Sequence, residues 1–115
     1  MSPAQPTPHE VYVALQALRD DADDWANAAK GMRAAARRAR DAALPPATFS
    51  FAGQGVAAAY EALRVRTADL LAAGSRNFDD IAVALLASAA SYEADEAAHV
   101  QRLTSAYRNS SKRTG

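Results

Sequence analysis

The sequence predicts an all-α fold, an antiparallel helical hairpin of two long helices over residues 8–108 that pairs into a four-helix bundle. Three observations support this fold. Apolar residues recur at alternating steps of four and three in both halves of the chain. About a quarter of all residues are alanine, the best helix former and the smallest side chain that still packs. The prolines at 45 and 46 interrupt the pattern once, where the chain must turn.

A capping box predicts where the first helix begins. Thr7 stands at the N-cap, Pro8 at the first helical position and Glu10 at the third. The apolar positions that follow are Val11, Leu15, Leu18, Ala22, Trp25, Ala29, Met32, Ala36, Ala39 and Ala43. This spacing is the heptad seam of a helix that packs against another helix, as in a coiled coil. The first helix is therefore predicted over about residues 8–44, ending before Pro45.

A turn over residues 45–54 leads to a second helix, predicted over about residues 55–108. Its seam consists of Val56, Tyr60, Leu63, Thr67, Leu70, Gly74, Phe78, Ile81, Leu85, Ser88 and Tyr92. The step from Gly74 to Phe78 is four where a heptad requires three, and such a stutter locally unwinds a supercoil. Asn77 could cap a new helix there, but we expect one continuous helix.

Charge and composition exclude several classes of function. The net charge is zero and no nucleic-acid-binding module is recognisable, so we expect no nucleic-acid partner. The longest apolar run, residues 81–90, is too short for the roughly 20 residues of a transmembrane segment. There is no cysteine, and the N-terminus lacks the basic and apolar regions of a secretory signal peptide. The two ends, residues 1–7 and 109–115, carry no apolar pattern and are predicted to be disordered.

Two candidate chemical sites have simpler explanations. Glu96 and His99 match half of a di-iron carboxylate site, but such a site needs a second Glu-x-x-His and two more glutamates. The other histidine, His9, is far away in the sequence. Cations that complement the dipole at the end of the first helix are Lys30, Arg33, Arg37, Arg38 and Arg40. No nucleophile–base pair is readable, so we expect a protein that is not an enzyme and has no metal or cofactor.

The second helix is predicted to outrun the first. Both helices rise by about 1.5 Å per residue, so Val11 should lie opposite residues 87–91. Tyr92 and the apolar Leu103 and Tyr107 would then have no cover within the hairpin, which predicts a partner. The residues predicted to hold the bundle together are Leu15, Leu18, Trp25, Met32, Leu63, Leu70, Phe78, Ile81 and Leu85.

These features resemble small type VII (ESX) secretion substrates of the WXG and early-secreted-antigen kind, usually actinobacterial, and especially their EspC-like branch. Tyr92-x-x-x-Glu96 is similar to the family's Tyr-x-x-x-Asp/Glu export motif at the end of the second helix. The wider pattern around that motif falls on His99, where the family has an apolar residue, and on Leu103. In the turn, the family's Trp-x-Gly is matched by Phe51 and Gly53, an aromatic-x-Gly without tryptophan.

The resemblance implies an interaction protein that is a type VII substrate or co-substrate. It implies a homodimer or heterodimer with a similar helical hairpin, in which Tyr92 and Glu96 form a composite signal with the partner's turn. It also implies recognition by the type VII secretion ATPase. The protein would be cytoplasmic before export and then secreted or cell-surface, without a cleaved signal peptide. The alternative is a cytosolic helical adaptor or chaperone-like partner of a toxin domain, which would have the same heptads but no export.

Overall fold

The computed structural model describes residues 5–50 and 53–114, which form two helices and a short connection. Helix α1 spans Pro8–Asp41, a 3₁₀ helix spans Pro46–Phe49, and helix α2 spans Gln54–Thr114. The helices run antiparallel, since Tyr60 contacts Ala42 near the turn while residue 93 contacts residue 19 far from it. The predicted all-α hairpin is confirmed, and its pairing into a four-helix bundle stays a prediction.

Helix α1 begins with the predicted capping box. The Glu10 amide donates to the Thr7 hydroxyl oxygen (3.1 Å), and the Thr7 amide donates to the Glu10 carboxylate (3.1 Å). The helix ends at Asp41 rather than at residue 44, because the chain leaves the helical conformation ahead of Pro45. Gly53, the second predicted turn residue, has a φ of 86°, which favours glycine. Phe51 lies outside the described residues.

Two side chains of α2 cap the end of α1. The Arg64 guanidinium donates to the carbonyl oxygens of Ala39 (3.0 Å) and Arg40 (2.7 Å). The Tyr60 hydroxyl donates to the Ala42 carbonyl oxygen (2.9 Å). Carbonyls at the end of a helix lack partners within it, so these bonds fix the turn end of the hairpin from the opposite helix.

The seam predicted for α1 is confirmed. Every seventh residue is buried, namely Leu15, Ala22, Ala29 and Ala36. The alternate positions are half-buried, and they are Val11, Leu18, Trp25, Met32 and Ala39. The Trp25 and Phe78 rings meet edge to face, with centroids 4.8 Å apart and an interplanar angle of 86°. Ala43 lies beyond the end of the helix and is exposed.

The seam of α2 differs from the predicted one in both halves of the helix. Its buried residues are also seven apart, and they are Ala68, Ser75, Ala82 and Ala89. Half-buried residues that complete the same alternation are Arg64, Leu71, Phe78 and Leu85. These positions alternate by four and three without interruption, so the predicted stutter is wrong and the helix is continuous, as expected. Leu63 and Leu70 are 65% and 61% exposed, and Ile81 is also exposed, so none of the three belongs to the seam between α1 and α2.

The physical reason is that α2 carries two competing apolar lines. The exposed line consists of Val56, Leu63 and Leu70, whereas the line that faces α1 alternates small buried residues with the larger, half-buried Leu71, Phe78 and Leu85. Alanines also occupy the facing positions of α1, so the two helices meet through small residues and approach closely. At Gly74, a Cβ atom would overlap the terminal methyl of Met32.

Helix α2 continues well past the start of α1. From residue 90 to residue 112 every side chain is exposed. The helix runs to Thr114, so the predicted end at residue 108 and the predicted disorder of residues 109–114 are wrong. Residues 109–114 contain neither proline nor glycine, so nothing in them stops a helix. The chain is accordingly a rod, with principal extents of 96 × 29 × 18 Å.

Candidate partner-binding site at the open end of the hairpin

Tyr92 lies at the open end of the hairpin, beside the beginning of α1, where α2 continues without a partner helix. An apolar groove of about 410 Å³ between the helices is lined by Pro6, Val11, Leu15, Leu18, Ser88 and Tyr92, among others. The first turn of α1 therefore reaches Tyr92, and the prediction that α1 ends just before it is wrong by about one turn. Tyr92 is 43% exposed, so it lines the groove and also faces solvent.

Tyr92 and Glu96 form a pair on the surface of α2. The Tyr92 hydroxyl donates to the Glu96 carboxylate at 3.2 Å, as expected for residues one helical turn apart. Partial desolvation of the phenol, and secondly this hydrogen bond, raise the pKa of Tyr92 above its ordinary value. The Tyr92 phenol is neutral at physiological pH, and its hydroxyl lies beside the Glu96 carboxylate. The pair thus offers a partner an apolar anchor beside a charged acceptor.

His99 and Leu103 continue the surface beyond this pair. His99 lies in a shallow depression with Tyr92, Asp95 and Glu96. Leu103 lies on the next turn and is exposed. The structure thus brings the four predicted motif residues together on the uncovered part of α2. Within the described residues, no group of three or more histidine, cysteine or acidic side chains could hold a metal ion.

The extension of α2, residues 93–114, is a lone helix about 33 Å long. Val100, Leu103 and Tyr107 line one face at steps of three and four, and they are 57%, 58% and 78% exposed. The Arg19–Glu93 ion pair is the last polar contact between the helices before this extension. Most helical stability in proteins comes from packing an apolar face against a neighbour, and the extension has no such neighbour among the described residues. Its apolar face is therefore a surface that a partner can cover.

A second exposed apolar line lies at the turn end of α2. It contains Val56, Leu63 and Leu70, the residues that the sequence placed in the seam. Because the hairpin buries the neighbouring line instead, these side chains are available for contacts between molecules. The sequence analysis placed these residues in the seam with α1, and the structure places them outside it.

A comparison of the chain with protein-family models, with curated proteins and with solved structures finds no significant match. No helix among the described residues is both long enough and apolar enough to cross a membrane. The fold and the site together define an all-α hairpin with a helical extension that is uncovered within the chain.

Proposed function

We propose that this protein is a non-enzymatic interaction protein, exported by a type VII secretion system as a substrate or co-substrate. The observation that carries the proposal is the position of the Tyr92–Glu96 pair. Its two side chains are hydrogen-bonded, exposed, and located at the point where α2 leaves α1. A Tyr-x-x-x-Glu motif in this position resembles the export signal of type VII substrates.

The geometry explains why such a pair would serve as a signal. Tyr92 lines the apolar groove together with Val11 and Leu15 of α1, so one side of its ring environment is apolar. Glu96 then takes a defined position through the hydrogen bond with the Tyr92 hydroxyl. A receptor that docks there contacts an aromatic face and a carboxylate that are already ordered, so binding costs little further side-chain entropy. The secretion ATPase, with the partner's turn beside it, would be that receptor.

The partner in this proposal is a similar helical hairpin, either a second copy or a different chain. It would cover the exposed line Val56, Leu63 and Leu70 to complete a four-helix bundle. The three side chains lie two helical turns apart on one line, the spacing at which a partner helix can pack along them.

The test is export from a host with an active type VII system, measured as the protein in culture filtrate relative to cell lysate. Glu96→Ala removes the carboxylate from an exposed site and should abolish export at unchanged intracellular level. Tyr92→Phe keeps the ring in the groove but loses the hydrogen bond, and should reduce export several-fold. Asp95→Ala is the matched control, because Asp95 is an exposed neighbour outside the Tyr92–Glu96 hydrogen bond.

Normal export of Glu96→Ala would contradict the proposal and favour a cytosolic adaptor that uses the same apolar surfaces. Equal loss of export in Asp95→Ala would mean that the general acidity of the segment matters, not the pair. The helix content of each variant, measured by circular dichroism, must match the wild type for either comparison to count.

A further inference from the structure

A second concave surface lies between the helices in the turn half of the hairpin. Four arginines line it, Arg33, Arg37 and Arg40 from α1 and Arg76 from α2. Its floor is formed by the small residues Ala36, Ala72 and Ser75, which leave a cavity of about 440 Å³. We call this surface the arginine groove. It is separate from the Tyr92–Glu96 site, and its proposed role does not depend on the proposed export.

The charges of the arginine groove are mostly unbalanced. Arg33 is paired with Asp79 at 2.5 Å. Arg37, Arg40 and Arg76 have no carboxylate partner among the described residues, whereas Arg19 and Arg64 are paired with glutamates.

Hairpin stability does not explain this arrangement. Like charges three and four residues apart on a helix, as at residues 33, 37 and 40, are destabilising. The dipole of α1 favours a cation in its last turn and so accounts for Arg40. It does not account for Arg76, which lies in the middle of α2 and joins the same groove.

We propose that the arginine groove binds a compact anion with several phosphate groups, of the diphosphate or triphosphate kind. A guanidinium group donates two parallel hydrogen bonds to a phosphate, and three unpaired guanidiniums suit adjacent phosphates of one chain. The concave floor allows the anion to lie between the arginines rather than above them. Asp79 also lines the groove and offsets the charge of Arg33, so the positive charge available to the anion comes from Arg37, Arg40 and Arg76.

The surrounding charges favour a compact anion over nucleic acid or an anionic membrane. The carboxylates that flank the groove toward the open end are Asp20, Asp21, Asp23 and Asp24 on α1 and Asp80 on α2. An extended polyanion or a membrane surface would meet these carboxylates and be repelled. The net charge of zero likewise gives no long-range attraction to such surfaces.

Calorimetric titration of the full chain with sodium tripolyphosphate at low salt tests the proposal. We expect saturable binding of one anion per chain, and a melting temperature that rises with its concentration. Arg37→Gln and Arg76→Gln should each weaken binding about tenfold, since each removes a charge-assisted bond. Arg76→Lys should retain part of the affinity, because it keeps the charge but not the paired geometry.

Arg38→Gln is the matched control. It removes the same charge from the same helix at an equally exposed position, but Arg38 does not line the groove. We expect less than a twofold effect. An equal loss of affinity in Arg38→Gln would mean that the anion is attracted only by the overall positive charge of this part of the chain, and would overturn the proposal. So would the absence of saturable binding at millimolar tripolyphosphate, or tighter binding of single-stranded DNA or of phosphatidylglycerol vesicles through Arg37 and Arg76. Circular dichroism of each variant excludes unfolding as the cause.

Discussion

Trp25 is the largest side chain in the seam, and its edge contact with Phe78 joins the middles of the two helices. Trp25→Ala should lower the free energy of unfolding by about 2–4 kcal/mol, below the usual upper range because the indole is only half-buried. Trp25→Phe retains an aromatic ring and should lose less than half as much. Chemical denaturation followed by circular dichroism measures both. An unchanged midpoint in Trp25→Ala would contradict the seam assigned to α1.

Arg64 is a residue that sequence patterns cannot place. A charged side chain interrupts an apolar line, so the predicted seam excludes Arg64, yet it occupies a seam position because its guanidinium caps carbonyls of α1. The capping box at Thr7, in contrast, is predictable because all of its members lie within four residues. Contacts between distant residues become visible only when the register of the two helices is known.

Arg64→Leu should therefore loosen the turn end while leaving the rest of the hairpin intact. Leucine fills the seam position, but the Ala39 and Arg40 carbonyls lose their donors. Hydrogen exchange should become faster for the last turn of α1 and remain unchanged near Trp25. Arg66→Leu, at an exposed position two residues away, is the control and should change neither. Equal exchange rates in Arg64→Leu and the wild type would show that these bonds do not hold the turn.

At the scale of the element, the two helices differ in how well their sequences predict them. In α1, large apolar residues and alanines share one line, so the pattern has one interpretation, and that interpretation is confirmed. In α2, the line of Val56, Leu63 and Leu70 faces solvent, and the line that faces α1 alternates small buried residues with larger half-buried ones. Hydrophobicity favours the first line, but close packing against the alanines of α1 favours the second. The predicted stutter at Gly74 arises because the predicted seam follows the exposed line before Gly74 and then changes to the line that faces α1.

Two glycines within the helices test this close packing. Gly31 has open space where a Cβ atom would lie, so Gly31→Ala should stabilise the protein by about 0.5–1 kcal/mol through helix propensity alone. Gly74→Ala gains the same propensity but requires the Met32 methyl to move. We therefore expect a smaller gain for Gly74→Ala, and recovery of the full gain in the double variant with Met32→Ala relative to Met32→Ala alone. Equal gains in both single variants would mean that the helices are not in close contact at Gly74.

At the scale of the whole molecule, the sequence locates the uncovered extension to within one turn. Counting residues from the turn requires only the rise per residue, which is why the predicted position of Tyr92 is nearly right. The end of α2 is not predicted because residues 109–114 carry no helix stop signal and no apolar pattern. The arginine groove is not predicted as a site because its members come from both helices, and they converge only in the correct register.

The exposed line of Val56, Leu63 and Leu70 leads to a prediction about association. A two-helix hairpin with a core made mainly of alanine buries little apolar area, so we expect the isolated protein to be dimeric or poorly folded. Because Leu63 and Leu70 face solvent in the hairpin, Leu63→Gln combined with Leu70→Gln should remove the dimer and give a monomer with a lower melting temperature. Burial of a leucine contributes about 1.5–3 kcal/mol, so replacing two leucines per chain is enough to abolish a weak association.

Leu71→Gln is the control that separates the two possible registers of α2. Leu71 is half-buried in the seam beside Ala68 and Ser75, so a polar amide there should lower the helix content and the melting temperature. Light scattering measures the mass of each variant, and circular dichroism measures its folding. If the double variant unfolds while Leu71→Gln does not, α2 packs against α1 through Leu63 and Leu70, and the seam assigned through Leu71 is wrong. A wild-type chain that is monomeric and melts cooperatively at high micromolar concentration would remove the argument that this surface binds a partner.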